Sequence, residues 1–149
     1  QEYEILAEKI REYEESLYRE ERGNWIDKGQ DQEEGEDTVA WCHGTAGILL
    51  ARLWCYQHVT DRTWKERLKI DIERAYRKTE TYWKRDSWSL CHGTGGNLWI
   101  LDIADRVLRK EQKNRMDIDE FRLLPPERLN PGIMGGYGGI LLYLLQKIN

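Results

Sequence analysis

The chain has 149 residues, 27 of them acidic and 23 basic, for a formal net charge of −4. That length fits a single domain, and an apolar fraction of 40% beside a charged fraction of 34% excludes a disordered or collagen-like chain. The longest apolar run, Ile140 to Leu145, is six residues, far short of a membrane span, and an acidic balance argues against nucleic acid as a partner.

The elements follow in chain order. Tyr3, Leu6, Ile10, Tyr13 and Leu17 step by three and four and predict a helix with one apolar stripe and one wet side. Gly23 to Thr38 is polar, holds three glycines and reads as a loop. Residues 1–40 carry fourteen Asp or Glu and five Lys or Arg, so this part is strongly acidic, whereas the remainder is net basic. Such a block is a solvated face, or a rim that steers a charged peptide. WCHGTAGILLARLWC then predicts a Gly-containing turn opening a helix that is apolar on nearly all sides and should be buried. Trp64, Leu68, Ile72, Tyr76 and Trp83 mark a second one-striped helix, followed by SLCHGTGGNLWILDIADRVL, another Gly-rich turn and apolar helix. Phe121 to Leu124 precede a loop with Pro125, Pro126 and Pro131, and the chain closes with PGIMGGYGGILLYLLQKI. No stretch alternates with period two for long, so strands are not expected.

CHGTAGILL, CHGTGGNLW and MGGYGGILL are one theme, with Cys42 and Cys91 49 residues apart and Cys91 and Met134 43 apart. Two helices per 40–50 residues describe a repeat architecture, a solenoid or a closed helical toroid, with a wet helix outside and an apolar one inside. Glycine lets each turn fold tightly, and the inner-helix N-termini then face one shared end. Three such repeats make a thin core. The fold class expected is all-α, part of an α/α toroid of repeated helix pairs, and the chain reads as the C-terminal portion of a larger domain.

The chemistry concentrates at two turns. Cys42 and His43 occupy one, Cys91 and His92 the equivalent turn of the next repeat, and side-by-side stacking would bring them together. Zinc takes thiolate and imidazole, and a catalytic zinc keeps three protein ligands and one open position, which two Cys and one His would satisfy. A coordinated thiol is deprotonated outright. Cys55 and His58, spaced i, i+3, share a helix face and read as packing. Three cysteines in no paired framework favour a reducing compartment, so a cytoplasmic location is expected.

Trp41 to Ile48 (WCHGTAGI), Leu90 to Asn97 (LCHGTGGN) and Pro131 to Ile140 (PGIMGGYGGI) resemble the lanthionine synthetase C-like cyclases, most closely the C-terminal cyclase domain of class II lanthipeptide synthetases. The resemblance implies an α/α toroid with zinc held by Cys42, Cys91 and His92. His43, beside the first ligand, would not bind the metal and would face the substrate or support the ligands, a catalytic candidate. The reaction implied is addition of a peptide cysteine thiolate to dehydroalanine or dehydrobutyrine, giving a thioether ring. Residues 1–40 would form an outer helix and acidic loop, and residues 41–149 the motif-bearing repeats.

The chain also departs from the family. Its catalytic histidine and aspartate partner lie in earlier repeats, and here the only histidines are His43, His58 and His92. No dehydratase portion is read in these 149 residues, and the last motif reads GIMGGYGG where the family more often has Leu, Thr and a small residue. The partners expected are a precursor peptide, the N-terminal cyclase and dehydratase portion, and, through an open apolar edge, a second copy. The chain alone is not expected to turn over. The competing reading is a non-catalytic helical-repeat module that binds a peptide or partner, with zinc structural or missing.

Overall fold

The computed structural model describes residues 2–27, 37–116 and 131–148. Helix α1 spans Glu2–Ser16, and a minimal hairpin pairs β1 (Tyr18–Arg19) with β2 (Asn24–Trp25), Tyr18 opposite Trp25. Helices α2 (Thr45–His58), α3 (Arg62–Tyr82), α4 (Thr94–Val107) and α5 (Tyr137–Gln146) follow. The fold is all-α apart from this hairpin, a short exception to the expectation of no strands. The Phe121 to Leu124 segment with Pro125 and Pro126 lies outside the described residues.

The second predicted stripe is the spine of the core. Asp61 caps α3 by accepting from the Trp64 backbone N–H at 2.7 Å. From there Trp64, Leu68, Ile72 and Tyr76 point inward, one helical face repeating every three to four residues, and all four are buried. They meet Leu49 and Leu53 of α2 and Ile100, Leu101 and Ala104 of α4. Thus α2, α3 and α4 pack against one another, and α4 also packs on α5. Trp83 caps the end of α3 and is half-buried.

Two expectations are corrected. The α1 stripe is not covered: Leu6 is 55% and Ile10 50% exposed, with Tyr3 and Tyr13 more exposed still. Helix α1 docks through its charged side instead. Arg11 donates to Asp71 through Nε at 2.9 Å, Arg52 of α2 reaches the same Asp71 oxygen at 2.9 Å, and Glu8 and Glu15 pair with Arg67 and Arg74. Asp71 is fully buried between two guanidinium groups, the arrangement in which an interior charge is tolerated. Helix α2, expected to be buried on nearly all sides, is open on one: Trp54 is exposed and Ile48 and Leu50 are only half-covered. The reason is positional, because α3 and α4 flank α2 while none of the described helices covers its remaining face.

The polar segment from Gly23 also begins less like a loop than its composition says. Asn24, Trp25 and Ile26 are buried, Trp25 packs on Tyr18 with ring centroids 4.8 Å apart, and the Ile26 N–H donates to the Leu17 carbonyl at 3.0 Å. Residues 28–36 of that segment lie outside the described residues.

Candidate metal centre

The three motif turns stack in register. The Cys42 N–H donates to the Cys91 carbonyl at 3.1 Å, and the Cys91 N–H donates to the Met134 carbonyl at 2.8 Å. Equivalent residues of successive repeats are therefore hydrogen-bonded to one another, which is what the sequence repeat requires if its units lie side by side.

Glycine makes the stacking possible. Each turn passes so close to the helix it opens that a Cβ at Gly47, Gly96 or Gly139 would run into the carbonyl oxygen six residues earlier, that of Trp41, Leu90 or Ile133. Gly44, at φ +75°, also lies in the left-handed region, where a side chain is strained as well as blocked by the Thr38 carbonyl. Buried side chains hold the approaches: Thr45 hydrogen-bonds Asn24, whose amide reaches the Thr38 carbonyl at 2.9 Å, and Thr94 Oγ1 donates to the Arg85 carbonyl at 3.0 Å. Asn97 donates to the Val39 carbonyl at 2.9 Å, tying α4 to the strand of chain entering the first turn.

This framework brings Cys42, Cys91 and His92 together, with one donor atom of each within 4.8 Å of the others, a group that could hold a metal ion. Cys42 and His92 are exposed and Cys91 half-buried, so the group is open to solvent on one side. It sits in the turns that open α2 and α4, at the positive ends of the two helix dipoles, which favour negative charge such as thiolate. Without a metal, desolvation pushes the Cys42 thiol up to about 11, and the neighbouring Cys91 thiol adds to the rise. Met134 fills the equivalent third position, which is why the third turn adds no thiolate.

His43 is not one of the three grouped donors. Its Nδ1 is 2.7 Å from the Asp27 carboxylate, and both residues line a pocket of about 170 Å³ that also reaches Cys42 and Trp25. Asp27 was hidden from sequence reasoning inside a polar segment. Its one signal was the Asn-Trp-Ile anchor just before it, which fixes the chain in the core and aims Asp27 at the turn. A second groove of about 660 Å³ starts at Cys42 and runs along α2 past Trp41, Ile48 and Trp54 to Cys55, with Glu14 of α1 at its rim. Cys55 and His58 do not join the metal group: the His58 ring bonds the Trp54 carbonyl at 2.8 Å and lies against the Trp54 ring.

Fold and site together define a helical-repeat protein with a Cys–Cys–His cluster at its inner-helix turns. Over residues 1–149 the chain matches the lanthionine synthetase C-like protein family, and it belongs to that family. No curated protein and no solved structure matches it. Among the described residues no helix is long and apolar enough to cross a membrane.

Proposed function

We propose that residues 1–149 are the zinc-bearing C-terminal portion of a lanthipeptide cyclase, which closes lanthionine and methyllanthionine rings in a dehydrated precursor peptide. Within it, residues 1–40 are the outer helix and acidic loop and residues 41–149 the motif-bearing repeats. The observation that carries the reading is the convergence of Cys42, Cys91 and His92 within 4.8 Å in a chain of this family.

The donors suit zinc: two thiolates and an imidazole are its preferred ligands, and three of them leave one position open, whereas structural zinc is normally closed by four. Bound there, zinc would lower the pKa of the substrate thiol and hold it for attack. The thiolate sulfur then adds to the β-carbon of dehydroalanine or dehydrobutyrine. The C–S bond forms, the alkene electrons move onto the carbonyl as an enolate, and a general acid returns a proton to the α-carbon. His43, steadied by Asp27 beside Cys42, is the acid this stretch of chain offers. The groove from Cys42 to Trp54 receives the apolar side chains flanking the reacting cysteine. The N-terminal portion of the enzyme covers the open faces of α1 and α2. In its absence those faces, with the exposed leucines of α5, pair two copies. The location is the cytoplasm, where thiols stay reduced.

The test is a dehydrated peptide carrying one cysteine and one dehydroalanine, given to the zinc-loaded chain alone and together with the N-terminal portion of a class II synthetase. Cyclisation consumes the free thiol at unchanged peptide mass. We expect it in the combined sample only, and lost with Cys91→Ala. A thiol left free in the combined, zinc-loaded sample would favour a non-catalytic peptide-binding module.

A further inference from the structure

We propose that Cys42 and Cys91 form a reversible disulfide when no metal joins them, so that the cluster has two exclusive states, a metal-binding dithiol and a metal-free disulfide. The proposal rests on the zinc reading above only for what the disulfide excludes. The bond itself is argued from the position of the two sulfurs.

Three observations carry it. The two sulfurs lie within 4.8 Å of each other, so they are neighbours before any oxidation. The backbone does the same: the Cys42 N–H donates to the Cys91 carbonyl at 3.1 Å. Disulfides need Cα atoms about 4.4–6.8 Å apart and Cβ atoms about 3.5–4.5 Å apart, and two residues joined by a direct backbone hydrogen bond with sulfurs within 4.8 Å can close the bond by a local side-chain and turn adjustment. The turns are also fixed by features that owe nothing to a metal, namely the close-packed glycines and the buried Asn24 and Asn97 bonds, so the pair stays together in the metal-free chain. Cys42 is exposed and Cys91 half-buried, which lets a small oxidant in, while Cys55 lies near the far end of α2 outside the cluster.

The chemistry balances with a small-molecule disulfide as oxidant. The sulfur of Cys42, the more exposed, attacks one sulfur of the oxidant, whose S–S bond breaks and releases one small thiol carrying the proton that Cys42 gave up. The Cys91 sulfur then attacks the mixed disulfide at Cys42, the Cys42–Cys91 bond forms, and the second small thiol leaves with the proton from Cys91. The protein dithiol is oxidised by two electrons and the small disulfide is reduced by two. Neither sulfur is then a thiolate, and His92 remains as the one metal donor of the three.

The experiment treats the reduced, metal-stripped chain with oxidised glutathione, alkylates the remaining thiols and maps the peptides, with a parallel sample preloaded with zinc. We expect a product two hydrogens lighter, a Cys42–Cys91 cross-linked peptide, an alkylated Cys55, protection by zinc, and loss of zinc uptake that dithiothreitol restores. Circular dichroism checks that the oxidised chain stays helical. Persistent mixed disulfides on separate cysteines, a cross-link through Cys55, or equal cross-linking in the zinc-loaded sample would overturn the proposal. If the reduced chain takes up no zinc but forms the cross-link, the dithiol geometry stands and the zinc reading fails, so the two failures are distinguishable.

Discussion

Gly96 and Gly135 lie in the last two repeats of one motif series, yet they carry different constraints. A Cβ on Gly96 would strike the Leu90 carbonyl, whereas one on Gly135 would meet open space. Gly96→Ala should therefore cost about 1–3 kcal/mol in urea unfolding, the range for forcing atoms into a packed site, because the turn carrying Cys91 and His92 must give way. Gly135→Ala should stay within about 0.5 kcal/mol of wild type. That Cys42, Cys91 and His92 come together was legible in sequence at this scale, since the twofold CHG motif marks equivalent positions and the repeat brings them together. Asp27 was not legible. Its partnership with His43 depends on where the hairpin lands, and nothing in the local composition encodes that contact.

Helices α1, α2 and α3 are joined by one buried carboxylate. Asp71 accepts from Arg11 and from Arg52, so its removal leaves two guanidinium groups without their shared counter-charge. Asp71→Ala should destabilise by about 3–5 kcal/mol in urea unfolding, with α1 the first element to lose amide-exchange protection. This contact also explains the misread face of α1. Periodicity finds the apolar stripe, but it cannot say that the opposite edge is the one that docks, because the partner charges lie 60 residues away in sequence. A second network joins α3 and α4 to the segment after α4: Asp105 accepts from Tyr76 at 2.6 Å and from Arg115 at 2.8 Å, and Glu80 pairs with Lys113 and Arg115. The Arg115 guanidinium and the Tyr76 hydroxyl hold Asp105 below the usual carboxylate range against the opposing effect of burial, and Lys113 leads the same shift at Glu80. A carboxyl lowered on folding adds stability above its unfolded pKa, near 4, and that stability is lost as pH falls through the folded value. Unfolding followed from pH 7 downward should show an acid limb beginning near pH 4, and Asp105→Asn should shrink it while lowering stability at pH 7 by about 2 kcal/mol. An unchanged acid limb in the variant would show that other carboxyls dominate.

At the scale of the whole molecule the unit is unsaturated at both edges. Tyr3, Leu6, Ile10 and Tyr13 on α1 and Leu141, Leu142, Leu145 and Ile148 at the C-terminal end are exposed. The internal repeat explains the first edge. Asn97, Ile100 and Ala104 on α4 are fully buried, while their counterparts 49 residues earlier, Ile48, Ala51 and Cys55 on α2, line an open groove. Among the described residues the same kind of face is therefore covered on α4 and open on α2. For the isolated chain, light scattering should give more than the monomer mass at micromolar concentration, and Leu6→Lys with Ile10→Glu should return it to monomer. A monomeric wild type would show that these faces do not pair two copies. Sequence pattern showed the repeat and its helices. It could not show which faces stay uncovered, because that depends on which neighbours are present rather than on the pattern of any one helix.

Whether the two turns from successive repeats build one three-ligand metal site is decided by zinc per chain, measured by elemental analysis on purified, reduced protein. About one zinc is expected in wild type, with its loss in each of Cys42→Ala, Cys91→Ala and His92→Ala, circular dichroism unchanged and Cys55→Ala retaining the metal. Well-folded wild-type protein without zinc, or zinc that survives all three substitutions, would contradict it.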